Sequence, residues 1–156
     1  MTRLYTLIRD ESQANVEASI TTVAIADTKL HCGNYLVPIS VQFTKQAALE
    51  YFNGLGADLD VISENGYSAI HWAIANNDIT ALNYLIANGA DIDIKQSKTT
   101  STFSSENTAL HMASARGCDS LAQVLVDAGA SKVLTNVNGS IAADLSPDAP
   151  MDAILA

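Results

Sequence analysis

Three histidines, two cysteines, a glycine-rich turn and a large set of carboxylates are the residues here that could carry chemistry. His31, His71, His111, Cys32 and Cys118 offer the donors zinc takes. Neither the histidines nor the cysteines, however, have the close paired spacing that a zinc site needs. Serines are plentiful, yet none sits in a strained strand-to-helix turn with a base beside it, as an activated nucleophile would. Gly54-Leu55-Gly56 follows an apolar helical stripe and so ends a helix, whereas a phosphate cradle opens one. Asp58 and Asp91 invite an acid-base reading, but carboxylates without a pocket around them predict solvated loops. The expectation is therefore no catalytic residue, no metal and no cofactor. The remaining enzymatic alternative is a site hidden in the Ser/Thr-rich stretch from Lys95 to Asn107.

The elements that position these residues repeat. Leu55-Gly56-Ala57-Asp58-Leu59-Asp60 returns thirty-three residues later as Asn88-Gly89-Ala90-Asp91-Ile92-Asp93, and forty residues after that as Ala128-Gly129-Ala130-Ser131. Ahead of the later two glycines, Ala81, Leu82, Leu85, Ile86 and Leu121, Ala122, Leu125, Val126 make one buried helical stripe each. The glycines then fall where a left-handed helix cap needs no Cβ. A second phrase, Ser68-Ala69-Ile70-His71-Trp72-Ala73, returns as Thr108-Ala109-Leu110-His111-Met112-Ala113, with the hydroxyl residue opening a short helix. Each unit thus reads as loop, short helix, turn, longer helix, glycine. The step of forty rather than thirty-three places seven extra residues within Lys95 to Asn107, as a long surface loop.

These two phrases resemble the ankyrin repeat family, over roughly Asn34 to Leu145. The resemblance implies an all-α solenoid of stacked helix-turn-helix units forming one domain over 1–156. Repeats are expected at 31–63, 64–103 and 104–136, between an N-terminal cap over about 1–30 and a C-terminal cap over 137–156. Leu4, Leu7, Ile8, Val16 and Ile20 supply the apolar residues of the first cap, and Met151, Ile154 and Leu155 those of the last. Val37-Pro38 stands where Ile70-His71 would be expected, so the first repeat is divergent; Pro147 and Pro150 prevent a normal short helix in the last unit. In such units the histidine is a structural imidazole bonded to the neighbouring loop, which is the role implied for His71 and His111.

Seventeen acidic against eight basic residues give a net charge of −9, which repels nucleic-acid phosphates and anionic lipid. A cationic partner would gain in association rate. Asp58 and Asp91, like Asp60 and Asp93, are equivalent by the repeat and would align in a ridge with Glu64 and Glu106 near the loop tips. That ridge reads either as solubility or as a docking strip for a basic partner. The first ten residues carry too few apolar side chains for a secretory signal, no run approaches a membrane span, and two cysteines in a chain of this size read as free thiols. A cytoplasmic protein is the expectation.

The resemblance places partners in the concave groove of loop tips and short helices. The residues expected there are Gln42, Phe43, Glu64, Asn65, Tyr67, Trp72, Asn76, Asn107, Met112 and Arg116, joined by Phe103 in the inserted loop. Their mix of aromatic, Met, Arg and small polar side chains is that of interface anchors. Trp72 and Met112 have a competing use as packing between short helices. The function expected is non-enzymatic protein binding. Alternatives are an immunity protein that neutralises a bacterial toxin, and an adaptor or secreted effector acting on host proteins.

Overall fold

The computed structural model describes residues 35–97, 105–147 and 149–156, without the side chains of Ala149, Pro150 and Asp152. The expected N-terminal cap, His31, Cys32, Asn34 and Phe103 lie outside the described residues.

Seven-residue and nine-residue helices alternate. The short ones are α1 (Leu36–Gln42), α3 (Ala69–Ala75) and α5 (Ala109–Ala115); the longer ones are α2 (Gln46–Gly54), α4 (Ile79–Ala87) and α6 (Asp119–Asp127). A 3-10 turn, Ala142–Leu145, and a last helix, α7 (Ala149–Leu155), follow, and among the described residues there is no strand. Each short helix packs against the longer helix after it and against the short element of the next unit, so the units stack in one row.

The longer helices bury one stripe apiece: Ala48, Leu49 and Phe52 in α2, Ala81, Leu82 and Leu85 in α4, Leu121, Ala122 and Leu125 in α6. Full burial of one Leu or Phe of these stripes contributes roughly 2 kcal/mol. Gly56, Gly89 and Gly129 follow these helices with φ of 82°, 84° and 93°, the left-handed turn that starts the next loop.

Short helices begin at a residue that caps them. Ser68 and Thr108 are N-caps in extended conformation, and their N–H groups donate to Nδ1 of His71 at 3.2 Å and of His111 at 3.4 Å. Pro38 sits in the first turn of α1, where the missing N–H has no intrahelical acceptor to lose. Asp144 takes the histidine's place in the last unit, its carboxylate accepting the Ile141 N–H at 2.9 Å. Past Pro147, Met151 and Leu155 are buried as α7 closes the stack against α6 and the 3-10 turn.

The neighbouring units are joined by bonds that measure the insertion. The bond from the Asp91 N–H to Asp60 spans 31 residues and its equivalent from Ser131 to Asp93 spans 38. The His111 to Ser140 bond spans 29, and the His71 to Asn107 bond 36. Both pairs differ by seven, so the extra residues leave the stacking undisturbed. Gln96 donates its N–H to the Asn107 carbonyl at 2.9 Å and closes the inserted loop at its base.

Candidate functional site

Three rows of equivalent positions run across α1, α3 and α5. The first is Ile39, Trp72 and Met112; Ile39 is buried, Met112 is 8% exposed and Trp72 is half-buried. Met112 lies in the floor, its Sδ accepting from Gln96 Nε2 at 3.2 Å. Trp72 is the member that reaches the surface, and Tyr67 stands beside it: the two rings are 5.1 Å apart at 33°. Tyr67 also meets the edge of His71 at 6.0 Å.

Tyr67 is held at the end of a tight turn. Its carbonyl accepts the Ser63 N–H at 3.0 Å and the Ser63 hydroxyl at 2.9 Å, and the Gly66 N–H closes on the Ser63 carbonyl at 2.9 Å. Glu64 and Asn65 form the tip of that turn and are exposed.

Small side chains make up most of the second row, Gln42, Ala75 and Ala115, with Gln42 half-buried. The third row is Phe43, Asn76 and Arg116. Phe43 is half-buried against the core, while Asn76 and Arg116 are exposed yet committed to neighbours. Asn76 Nδ2 donates to the carbonyls of Val41 at 2.8 Å and Gln42 at 3.1 Å, and Arg116 Nη2 to that of Ala75 at 2.9 Å. Both thereby bond carbonyls at the C-terminus of the preceding short helix, where Val41 also accepts the Thr44 N–H at 2.9 Å.

Asn107 is half-buried and serves the stack. Its carbonyl accepts from His71 Nε2 at 3.1 Å and its Oδ1 from Asn136 Nδ2 at 3.1 Å. A carbonyl only accepts, so Nε2 carries a proton, and Nδ1 accepts the Ser68 N–H at 3.2 Å, so the imidazole is neutral. Burial drives its pKa down from 6.5 to about 4, against the smaller upward pull of the Asn107 carbonyl.

The acidic loops form a relay. Asp58 accepts the Asp60 N–H at 2.9 Å, Asp60 the Asp91 N–H at 2.8 Å, Asp91 the Asp93 N–H at 3.0 Å, and Asp93 the Ser131 N–H at 2.9 Å. Carboxylates in the expected ridge thus alternate between closing their own loop and gripping the next. Two described lysines are also engaged with main chain: Lys95 Nζ with the Thr135 carbonyl at 2.6 Å and Lys132 Nζ with that of Ala156 at 2.8 Å.

Sequence reasoning missed two polar residues beneath the tips. Gln96 accepts from the Ser105 hydroxyl and donates to Met112, and Asn136 Oδ1 accepts the N–H groups of Asn138 at 2.9 Å and Ser140 at 3.1 Å. Repeat alignment would have found Asn136, which is equivalent to Ser63. Gln96 is equivalent too: Ser63, Gln96 and Asn136 each stand seven residues past the glycine of their unit, and their N–H groups donate to Tyr67, Asn107 and Ser140 in turn.

Among the described residues no group of His, Cys, Asp and Glu is placed to hold a metal ion, and no helix is long and apolar enough to cross a membrane.

Comparison with known proteins gives three copies of the family model for ankyrin repeats over residues 39–136. Neurogenic locus notch homolog protein 1 of Mus musculus is 31% identical over 72 residues, and that of Danio rerio 29% over 72. These matches take in 46% of this chain and only 3% of each relative, so the chain spans a small part of their length. The crystal structure of the ankyrin repeat domain of Bcl-3, described as a member of the IkappaB protein family, superposes with a TM-score of 0.84 at 21% identity. That match covers 99% of this chain and 67% of the other, and it shows a shared fold. Repeats of this kind are typically protein-protein interaction modules and generally non-enzymatic. With the stacked units, the capped short helices and three matching copies over most of its length, this chain belongs to the ankyrin repeat family.

Proposed function

We propose that this chain is a non-enzymatic binding module that holds a partner protein against the loop tips and the short helices α3 and α5. The observation that carries the reading is the half-buried Tyr67–Trp72 pair, flanked by the exposed tip residues Glu64 and Asn65. A rigid aromatic platform beside a polar rim is the usual anatomy of an interface anchor. Phe43, Asn76 and Arg116 extend the surface on the side of the short-helix ends.

The partner's contacting face is cationic in this reading, because the chain's net charge is −9. A toxin neutralised by capture and a host protein engaged by a secreted adaptor are narrower forms of the same function. Gene neighbourhood and a secretion assay separate them.

Affinity capture from the native source with the wild-type chain and with Glu64→Lys/Asn65→Lys tests the face. Both positions are exposed, and thermal unfolding of the variant checks that the fold is kept. The expected result is a protein captured by the wild type whose purified form binds the variant at least tenfold more weakly. Equal affinity for the two would reject the face.

A further inference from the structure

Asparagine followed by glycine is the dipeptide that loses its side-chain amide most readily, because the unhindered main-chain nitrogen after it can reach Cγ. This chain carries four such pairs: Asn53-Gly54, Asn65-Gly66, Asn88-Gly89 and Asn138-Gly139. The fold holds them differently. Asn53 lies in the last turn of α2, and its Nδ2 donates to the Tyr84 hydroxyl and to Asn88 Oδ1, both at 2.9 Å. Asn88 Nδ2 donates in turn to the Tyr84 carbonyl at 2.8 Å, so both ends of the Asn88 amide are engaged. Asn65 and Asn138 share one position of the repeat, nine residues past the glycine that follows their longer helix. Both are exposed, but their glycines are not alike: Gly66 is buried, its carbonyl accepting the Ser97 N–H of the next loop at 3.3 Å, whereas Gly139 is exposed. Asn138 is tied through its main chain, its N–H donating to Asn136 Oδ1 at 2.9 Å, and among the described residues no hydrogen bond holds its side-chain amide.

We propose that Asn138-Gly139 is a site of spontaneous deamidation in the native chain, and that the stack protects the other three pairs. The bond that must open first is the one from the Gly139 N–H to the Asn136 carbonyl at 3.0 Å, at a tip where Val137, Asn138 and Gly139 are all exposed. The Gly139 nitrogen, once its proton has passed to water or hydroxide, attacks Asn138 Cγ. The Cγ–Nδ2 bond breaks, the amide nitrogen takes a proton from water and leaves as ammonia, and a cyclic imide remains. Water then opens the ring at either carbonyl. The sum is asparagine plus water to aspartate or isoaspartate plus ammonia, with nothing oxidised or reduced. Isoaspartate carries the main chain through the former side chain, one carbon longer. That lengthens the turn in which Asn136 Oδ1 accepts the N–H groups of Asn138 and Ser140, and moves the Ser140 carbonyl that accepts from His111 Nε2. Deamidation at this tip therefore loosens the junction between the last two units and adds one negative charge. This inference does not depend on where a partner protein binds.

Incubation of the full chain at mildly alkaline pH, native and in urea, followed by peptide mass spectrometry, tests it. Each conversion adds one mass unit, and isoaspartyl and aspartyl peptides separate by chromatography. In the native chain Asn138 should convert at least tenfold faster than Asn53, Asn65 or Asn88, and in urea the four rates should draw together. The purified isoaspartyl form should exchange the Ser140 amide hydrogen faster than the unconverted chain, with α3 unchanged. An unconverted Asn138 in the native chain would overturn the inference, as would any of the other three reacting within twofold of it. So would the same lead for Asn138 in urea as in the native chain, since neighbouring sequence rather than the stack would then set the order. Unaltered exchange at Ser140 in the isoaspartyl form would overturn the loosening of the junction.

Discussion

Asp60 accepts the backbone N–H of Asp91 at 2.8 Å, and one unit further Asp93 accepts that of Ser131 at 2.9 Å. Burial raises the Asp60 carboxyl above its usual range, the Asp91 N–H lowers it, and the charges of Asp58 and Asp91 raise it again. The acceptor is thus useful and the charge is not. Asp60→Ala should lose about 1 kcal/mol by urea unfolding. Asp60→Asn keeps an oxygen for the Asp91 N–H and should match or exceed the wild type at pH 7. Since a raised carboxyl takes its proton more readily in the folded chain, that advantage should shrink as pH falls and the wild-type group is protonated.

His71 should make the stack acid-sensitive. Its folded pKa of about 4 lies below the ordinary 6.5, so the neutral form contributes its full stability above pH 6.5, and this is lost as pH falls from there to 4. The loss amounts to about 3 kcal/mol at most. Urea unfolding between pH 7 and pH 4.5 should show this slope, and His71→Gln, less stable at pH 7, should show a shallower one.

Asn76 and Arg116 are exposed but join units, so their replacement is not a clean probe of binding. Asn76→Ala removes donors to the carbonyls of Val41 and Gln42 and should cost about 1 kcal/mol; Arg116→Ala, with one bond to Ala75, should cost less. Denaturant midpoints of the two variants check the order. A triple substitution of Tyr67, Asn76 and Arg116 would therefore weaken the stack along with any complex.

Two glycines near the ends of longer helices should respond oppositely to alanine. Gly89 has φ of 84°, and Gly89→Ala should cost about 1 kcal/mol through left-handed backbone alone, because nothing lies within 4 Å of the added carbon. Gly54 ends α2 with the same open space and no positive φ. Gly54→Ala should be neutral or stabilising by a few tenths of a kcal/mol in thermal unfolding.

If the partner's face is cationic, the association rate should fall steeply with added salt while the dissociation rate changes little. Stopped-flow measurements across 50 to ~500 mM salt would show it, and a flat association rate would remove charge as the basis of recognition.

The repeat made the fold legible before any coordinates. Ser68 and Thr108 cap their helices, Gly56, Gly89 and Gly129 turn left-handed, and Met151 and Leu155 are buried, each for the reason its pattern implied. His71 and His111 each reach the next loop's carbonyl. The face was less legible, because equivalent positions share a direction without sharing an exposure. Trp72 and Met112 occupy one register; the first packs beside the Tyr67 ring and stays half-buried, while the second is bonded by Gln96 and is buried. The acidic residues were legible as a ridge but not as a relay, since spacing does not say which N–H a carboxylate will find.

At four of the bonds between units, the side chain belongs to one unit and the group it grips is a peptide N–H or C=O of the next. Asp60 meets Asp91 where Asp93 meets Ser131, and His71 meets Asn107 where His111 meets Ser140. The amino acid on the receiving side differs in both cases and the bond is the same. At these bonds neighbouring units need not change in step, unlike the one where Asn53 Nδ2 meets the side chains of Tyr84 and Asn88 at 2.9 Å each. Evolution can duplicate one, lengthen its loop by seven residues, or rewrite its outward side chains, and the adjoining unit still finds the backbone it holds.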